Sequence, residues 1–214
     1  MRDSKRALLE VTLVFGFVIG VCKVLKILSV PPNILFLVFA VLCLYVPLLL
    51  LLRTRTRPEE WGITMQRSFF SLNMSLVFSL LFLPAYALLY WVYRSWWFHL
   101  PVQIHFPPGW PSLMLIQLLG VALPEEVFYR GYMQSRLNGA FRWRVKLFSA
   151  PVGFGWFYAT ALFALGHYVI SHRPETLATF FPGLLFGWLR ERTGSVLAPT
   201  VFHAVCNATV LLLH

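Results

Sequence analysis

Charge is scarce in this sequence of 214 residues: only 12% of them are Asp, Glu, Lys or Arg, whereas 58% are hydrophobic. This is the composition of a polytopic membrane protein with no separate soluble domain. A net charge of +10 would suggest nucleic-acid binding in a soluble protein. In a membrane protein, the excess of Lys and Arg in the cytoplasmic loops explains it. We therefore expect one integral membrane domain over residues 1–214, embedded in a lipid bilayer and without a nucleic-acid partner.

Other scarcities exclude particular chemistries. Asp3 is the only aspartate, so an intramembrane pair of catalytic aspartates is excluded. The zinc-protease pattern H-E-x-x-H and the serine-nucleophile pattern G-x-S-x-G are absent. Three cysteines lie in apolar segments without disulfide or metal-ligand spacing and are predicted to be buried thiols: Cys22, Cys43 and Cys206. Glutamate as a general base, or glutamate and histidine as metal ligands, are the chemistries left open.

Apolar stretches predict an all-α, polytopic membrane bundle with about seven transmembrane helices. Most of the stretches reach the roughly 20 residues that a spanning helix needs. The sixth is the shortest and contains a Pro-Gly pair. The stretches are residues 7–29, 33–52, 69–93, 111–135, 151–170, 177–190 and 196–213.

The distribution of Arg and Lys predicts how the bundle is oriented. An excess of these residues in the loops marks the cytoplasmic side. If the helices alternate in direction, thirteen lie on the side of the N-terminus, and two, Arg94 and Arg173, lie in the loops on the other side. We therefore expect an integral membrane protein with a cytoplasmic N-terminus. Its expected location is the inner membrane of a bacterium, which this count does not itself indicate.

The fourth apolar stretch contains three ionisable residues, Glu125, Glu126 and Arg130. An ionisable side chain inside a membrane is costly, so such residues are functional by default. Glu126 and Arg130 are four residues apart on one helix face and are predicted to pair, whereas Glu125 points about 100° away from Glu126. Pro124 frees the carbonyl of Gly120, which favours either a cavity beside Glu125 or a plain structural kink.

Few polar residues in the other apolar stretches could meet Glu125. His167 lies near the end of the fifth stretch, and His203 and Asn207 share one face of the seventh. Each of them alone is typical of hydrogen bonding between membrane helices. Together they match what water activation requires: a base, a group that orients the water, and donors for an oxyanion. Glu125, His167 and His203 are also the candidate ligands if the site holds a metal.

The predicted helix ends place two of these residues at different depths. His167 lies about 15 residues outward from the level of Glu125, which is more than roughly 20 Å at 1.5 Å per residue. The two side chains can meet only if the fourth helix continues past residue 135 or the fifth begins nearer residue 156.

Three short motifs resemble those of the CAAX-protease and bacteriocin-processing (CPBP, or Abi) family of intramembrane proteases. They are Glu125-Glu126-Val-Phe-Tyr-Arg130, similar to E-E-x-x-x-R, Phe163-Ala-Leu-Gly-His167, similar to F-x-x-x-H, and His203-Ala-Val-Cys-Asn207, similar to H-x-x-x-N. The resemblance covers about residues 111–210. We therefore expect N-terminal helices without family motifs over 1–110 and a catalytic core over 111–214, with the active site among helices four to seven.

The resemblance implies an intramembrane endopeptidase of the glutamate type. Glu125 would activate a water molecule, and His167 would be the second partner of that water. His203 and Asn207 would form the oxyanion hole, and the second glutamate and the arginine of the first motif would support the site. No cofactor is expected, with zinc as the alternative, because the family has also been described as metal-dependent. Many members have an eighth helix, so seven or eight helices are expected.

The implied substrate is a membrane-anchored peptide or protein that is cleaved at a peptide bond. The resemblance admits a prenylated C-terminal tail, a C-terminal sorting tag or a leader peptide. A non-enzymatic alternative is a bacteriocin-immunity protein, or a transporter that uses Glu125 as a proton site. The inverted repeats that would favour transport are not visible in the sequence.

Overall fold

The computed structural model describes residues 2–213, which form seven helices and one β-hairpin. The helices are α1 (Arg2–Ile27), α2 (Pro32–Thr54), α3 (Ser68–Val92), α4 (Trp110–Ala140), α5 (Phe154–Ser171), α6 (Phe180–Thr193) and α7 (Leu197–Leu212). The hairpin pairs β1 (Arg144–Leu147) with β2 (Ala150–Gly153) in antiparallel register. Apart from this hairpin the fold is the all-α bundle that the hydropathy pattern predicts.

Four of the helices are long and apolar enough to cross a membrane. They cover Asp3–Ile27, Pro32–Thr54, Ser68–Trp96 and Trp110–Ala140. The last three helices are shorter, with 18, 14 and 16 residues. The structure therefore has the seven predicted helices over residues 2–213, and four of them are candidate membrane spans.

Hydrogen bonds between helices define their relative directions. Ser75 Oγ in α3 donates to Ala198 O in α7, and both residues lie in the first half of their helices, so α3 and α7 run parallel. The Gly155 N–H at the start of α5 donates to Asn138 Oδ1 near the end of α4, so these two helices run antiparallel. These two pairs therefore have the relative directions that the count of basic residues requires.

The basic segment 136–146, predicted as a loop, contains the end of α4 and most of β1. Arg136 lies in α4 and forms a salt bridge with Glu10 of α1 at 3.1 Å. The same carboxylate accepts a hydrogen bond from the Tyr132 hydroxyl at 3.0 Å. The helix continues beyond its predicted end at residue 135, and Glu10 neutralises Arg136 in the added segment.

Helix α6 also extends farther than predicted, to Thr193, and includes Glu191, which sequence reasoning placed in a loop. Glu191 Oε1 accepts hydrogen bonds from Gln134 Nε2 at 2.7 Å and from Asn138 Nδ2 at 2.8 Å, both in α4. A half-buried carboxylate needs such donors. These bonds hold the ends of α4 and α6 together.

Aromatic rings fill the centre of the bundle. Phe163 in α5, Phe186 in α6 and Phe202 in α7 are at most 2% exposed. The Phe186 ring centroid lies 6.2 Å from that of Phe163 and 5.7 Å from that of Phe202. An apolar layer of this kind strengthens the electrostatic interactions inside it. The predicted buried thiols are confirmed as buried and unpaired: Cys22, Cys43 and Cys206.

Candidate active site

The predicted ion pair between Glu126 and Arg130 is present and fully buried. Arg130 Nη1 lies 3.0 Å from Glu126 Oε1, and both side chains are 0% exposed. Arg130 Nη2 donates to Gly183 O of α6 at 3.1 Å, and the guanidinium carbon lies 4.4 Å from the centre of the Phe163 ring. A buried charge is stable only when it is paired and hydrogen-bonded. The contacts that stabilise this arginine also link α4 to both α5 and α6.

Polar contacts between α4 and α6 repeat at intervals of four residues. Arg130 donates to Gly183 O, and Gln134 Nε2 donates to Gly187 O at 2.9 Å. The partners are 53 residues apart in both contacts, so the two helices run parallel and in fixed register. Glycine favours this close approach, since a Cβ at Gly187 would lie 2.6 Å from Trp156 Cδ1 and 2.8 Å from Gln134 Oε1.

Helix α4 is irregular on both sides of the glutamates. Two π-helical segments, Ile116–Ala122 and Val127–Gln134, flank the short α-helical piece that carries them. Pro124 has no N–H to donate to the carbonyl four residues back. The Leu123 N–H donates to Leu118 O, five residues back. The turn before Pro124 is therefore π-helical, a feature that is frequent at functional sites.

His203 of α7 lies between the two glutamates. Its Nδ1 is 2.9 Å from Glu126 Oε1, and its Nε2 is 3.9 Å from Glu125 Oε2. The imidazole stacks on the Phe186 ring with 4.6 Å between the ring centres. Because an ionised carboxylate only accepts hydrogen bonds, Nδ1 carries the hydrogen in that bond. Glu126 therefore orients His203 so that Nε2 faces Glu125.

The net charge of this cluster depends on how many protons its four ionisable groups carry. With Glu125, Glu126 and Arg130 ionised and His203 neutral, the buried cluster carries a net charge of −1, which is unfavourable in an apolar interior. One proton, on either Glu125 or His203 Nε2, makes the cluster neutral. Glu125 Oε2 is buried and, within residues 2–213, has no hydrogen-bond partner. One water molecule can reach both atoms across the 3.9 Å that separates them.

Asn207, one turn after His203, is held by a residue that sequence reasoning missed. Asn207 Nδ2 donates to Gln117 Oε1 of α4 at 3.0 Å. Gln117 lies in the first π-helical segment, about two turns before Glu125. The available signal was an amide side chain inside an apolar stretch, which commonly bonds a neighbouring helix.

His167 lies at the level of the glutamates, but the described structure has no hydrogen bond between it and Glu125. Its ring packs against Phe163 with 4.5 Å between centres, and Nδ1 lies 2.9 Å from Phe163 O. A carbonyl oxygen only accepts, so Nδ1 donates this bond and Nε2 of the neutral ring is an acceptor. The Phe163 ring is also 5.8 Å from the His203 ring, so both imidazoles border the same aromatic side chain.

The depth mismatch predicted for Glu125 and His167 is removed by the true helix ends. The bond between Asn138 and Gly155 places those residues at one level. Counted along each helix from that bond, at about 1.5 Å per residue, Glu125 lies about 20 Å away and His167 about 18 Å away in the same direction. The two reach the same depth because α4 ends later and α5 begins later than predicted.

The zinc alternative requires Glu125, His167 and His203 to reach one ion. Zinc bonds to nitrogen and oxygen ligands are about 2.0–2.2 Å long. In the part of the chain that the structure describes, no three His, Cys, Asp or Glu side chains are grouped so that they could hold an ion. The residues as placed do not fit a preformed zinc site.

The motifs agree with a comparison to known protein families. Residues 107–209 match the family described as type II CAAX prenyl endopeptidase Rce1-like, within the CPBP group. This segment belongs to the Rce1-like family. It begins just before α4, ends in α7 and contains all three motifs. The match supports a CAAX-protease-type intramembrane endopeptidase with a membrane-associated protein substrate. No curated protein and no solved structure matches the chain.

Proposed function

We propose that this protein is an intramembrane endopeptidase that uses Glu125 as the general base that activates water, without a metal ion. The observation that supports this most directly is the 3.9 Å separation of Glu125 Oε2 and His203 Nε2 in a buried cluster. The bond from Glu126 to the other nitrogen of His203 fixes the orientation of the imidazole. A base, an oriented partner and a protected interior are the parts that general acid–base hydrolysis needs.

Water attack begins with a water molecule bound at Glu125. When the peptide carbonyl enters the site, the Glu125 carboxylate accepts a proton from this water as its oxygen bonds to the carbonyl carbon. His167 is the second partner of the water, through the ring nitrogen that does not bond Phe163 O. Its depth, equal to that of Glu125, supports this role.

The negative charge that develops on the carbonyl oxygen needs hydrogen-bond donors. His203, carrying the proton that makes the cluster neutral, donates from Nε2. Asn207 donates the amide hydrogen that is not bonded to Gln117. A single donor of this kind contributes about 3 kcal/mol to transition-state stabilisation in other hydrolases.

Collapse of the tetrahedral intermediate completes the reaction. The bond between the carbonyl carbon and the peptide nitrogen breaks, and Glu125 passes the proton it took from water to the leaving amine. The products are a new carboxyl terminus and a new amino terminus, and Glu125 returns to its ionised form. Glu126 and Arg130 act by positioning His203 and do not touch the substrate.

We propose a lipidated or membrane-anchored peptide as the substrate, cleaved near its anchor. A prenylated C-terminal tail gains support from the description of the family, and a sorting tag or leader peptide is the alternative. Glu125 lies midway along α4, so a substrate held in the bilayer can reach it. The cytoplasmic N-terminus and the bacterial inner membrane are part of this proposal, supported by the excess of Arg and Lys at one end of the bundle.

The test is cleavage of a fluorogenic lipidated peptide by the full chain in nanodiscs. Glu125→Gln removes the base with little change in size, and the expected loss in turnover is about 10²- to 10⁴-fold. Glu175→Gln is the matched control because Glu175 is a loop residue paired with Arg173. Equal turnover by wild type and Glu125→Gln would overturn the proposal. A wild-type chain that transports protons and cleaves no lipidated peptide would favour the transport alternative.

A further inference from the structure

A basic and aromatic segment lies outside the site, between α4 and α5. Residues 142–149, here called the interfacial hairpin, read Arg-Trp-Arg-Val-Lys-Leu-Phe-Ser, with basic and apolar residues alternating. Successive side chains of a strand point to opposite faces, so one face of β1 is basic and the other apolar. The apolar face is not covered by the chain: Trp143 is 64% exposed and Val145 is 45% exposed.

The tip of the interfacial hairpin carries a strained and exposed aromatic residue. Phe148 and Ser149 form its two-residue turn with φ values of 43° and 69°. Turns with two positive φ values normally use Asn-Gly or similar pairs, and a bulky residue there is unfavourable. Phe148 is 84% exposed, so packing within the chain does not compensate for this strain. The position is explained if the side chain contacts something outside the protein.

The level of the tip follows from the register of the helices if the bilayer is centred on α4. Trp188 Nε1 in α6 donates to Leu147 O at 2.9 Å. The register between α4 and α6 places Trp188 level with Ser135. Ser135 is about 15 Å along α4 from Glu125, which lies at the middle of that helix. Half the hydrocarbon thickness is also about 15 Å, so a bilayer centred on α4 ends at the tip of the hairpin.

The charged side chains of the interfacial hairpin have different partners. Arg144 is bonded to the end of α4, where it donates to Phe141 O at 2.7 Å and to Asn138 O. It therefore holds the hairpin against the bundle. Arg142 and Lys146 are exposed at the same end. An open hairpin edge is not tolerated in hydrocarbon, so the strands belong at the level of the headgroups.

We propose that the interfacial hairpin anchors this end of the bundle to anionic phospholipid. Phe148 and Trp143 enter the boundary of the hydrocarbon, and Arg142 and Lys146 contact the lipid phosphates. Basic side chains beside a membrane are attracted to anionic headgroups, and aromatic side chains concentrate at the interface. The proposal does not depend on the catalytic role of Glu125.

Spin-label accessibility in nanodiscs tests the depth of the tip. A label is placed at Phe148→Cys in the full chain, with its three buried cysteines replaced by alanine. The control label is at Glu59→Cys, in the turn Pro58–Trp61 at the same end of the bundle, where Glu60 O bonds Arg190 of α6. We expect the label at 148 to collide preferentially with oxygen and the label at 59 with a water-soluble nickel chelate. Equal nickel accessibility at the two positions would overturn the proposal.

Lipid composition tests the role of the charges. The label at 148 is measured in nanodiscs of phosphatidylcholine alone and of phosphatidylcholine with phosphatidylglycerol, with or without the changes Arg142→Gln and Lys146→Gln. We expect nickel accessibility to rise when the anionic lipid or the two charges are removed. The matched change of Arg55→Gln and Arg57→Gln, in the loop between α2 and α3, leaves it unchanged. If the nickel accessibility of the label at 148 changes with neither the anionic lipid nor the two charges, the contact with anionic headgroups is contradicted.

Discussion

The three N-terminal helices and the four that follow differ in how much of their surface is buried inside the protein. In the most apolar windows of α1, α2 and α3, 28%, 22% and 11% of residues are buried, compared with 39% in α4. Exposed leucines such as Leu13 and Leu80 cover the N-terminal helices. Every buried Glu, Arg and His residue in the described range lies in α4 to α7: Glu125, Glu126, Arg130, Arg190 and His203.

Helices α1 to α3 therefore face mainly lipid, whereas α4 to α7 contain the buried charged side chains. Apolar side chains in lipid need no specific partner, so many substitutions on α1 to α3 leave stability unchanged. A buried charge must keep its partner, because removal of one member leaves the other uncompensated. The region that carries the proposed chemistry is therefore also the region most sensitive to single substitutions.

The largest effect on stability is expected when the buried ion pair is broken. Arg130→Met leaves Glu126 without its cation and removes the bond to Gly183 O, at a cost of about 3–5 kcal/mol. The control is Arg136→Met, whose partner Glu10 is one-third exposed, with a cost of about 1 kcal/mol or less. Thermal unfolding in detergent measures both. Equal stability of the two variants would contradict the greater sensitivity expected of a buried ion pair.

A smaller effect is expected from crowding the contact between α4 and α6. Gly187→Ala places a Cβ 2.6 Å from Trp156 Cδ1 and 2.8 Å from Gln134 Oε1, and overpacking of this kind costs about 1–3 kcal/mol. Gly20→Ala in α1 meets nothing within 4 Å and should leave stability unchanged or raise it by up to about 1 kcal/mol. Unfolding midpoints of the two variants measure the difference, and a stable Gly187→Ala protein would show that the close approach is not required.

Gln117→Ala tests a residue that positions Asn207. Loss of the 3.0 Å bond frees the Asn207 amide to rotate. We expect turnover to fall by about tenfold, equivalent to 1.4 kcal/mol, with little change in KM, because the loss concerns the transition state. Asn207→Ala alone should reduce turnover more, and adding Gln117→Ala to it should cause no further loss. Multiplication of the two losses would show that Gln117 acts independently of Asn207.

The smallest effect is expected on the lipid-facing side. Leu80→Ala in α3 changes a side chain that is 68% exposed and should alter stability by less than about 0.5 kcal/mol. Leu189→Ala in α6 removes a fully buried side chain and should cost about 2–5 kcal/mol. Unfolding of the two variants in the same nanodisc preparation compares the regions, and similar losses would mean that α3 has a protein partner at that face.

Local patterns in the sequence predicted the features that depend on neighbouring residues. Apolar runs predicted each of the seven helices, and the spacing of four between Glu126 and Arg130 predicted their pairing. The spacing between His203 and Asn207 predicted that they share a face of α7, and both bond residues of α4. These features follow from the period of a helix and need no knowledge of which helices are neighbours.

Contacts between distant segments were not predictable from one sequence. The salt bridge between Glu10 and Arg136 joins α1 to the end of α4, and the bond between Gln117 and Asn207 adds a residue to the site. Both depend on which helices pack together, which hydropathy does not specify. The interfacial hairpin was read as a loop because its apolar residues alternate with basic ones over a short segment. The role of His167 in binding water, and the division of the chain after residue 110, stay predictions.

The most direct test of the central claim is a high-resolution map of the chain in a lipid nanodisc. We predict ordered density for one water molecule within about 3 Å of Glu125 Oε2, with His167 Nε2 as its second partner. His203 Nδ1 should keep its bond to Glu126 in the same map. A Glu125 carboxylate turned away from the imidazole and bonded to another protein group would contradict the account.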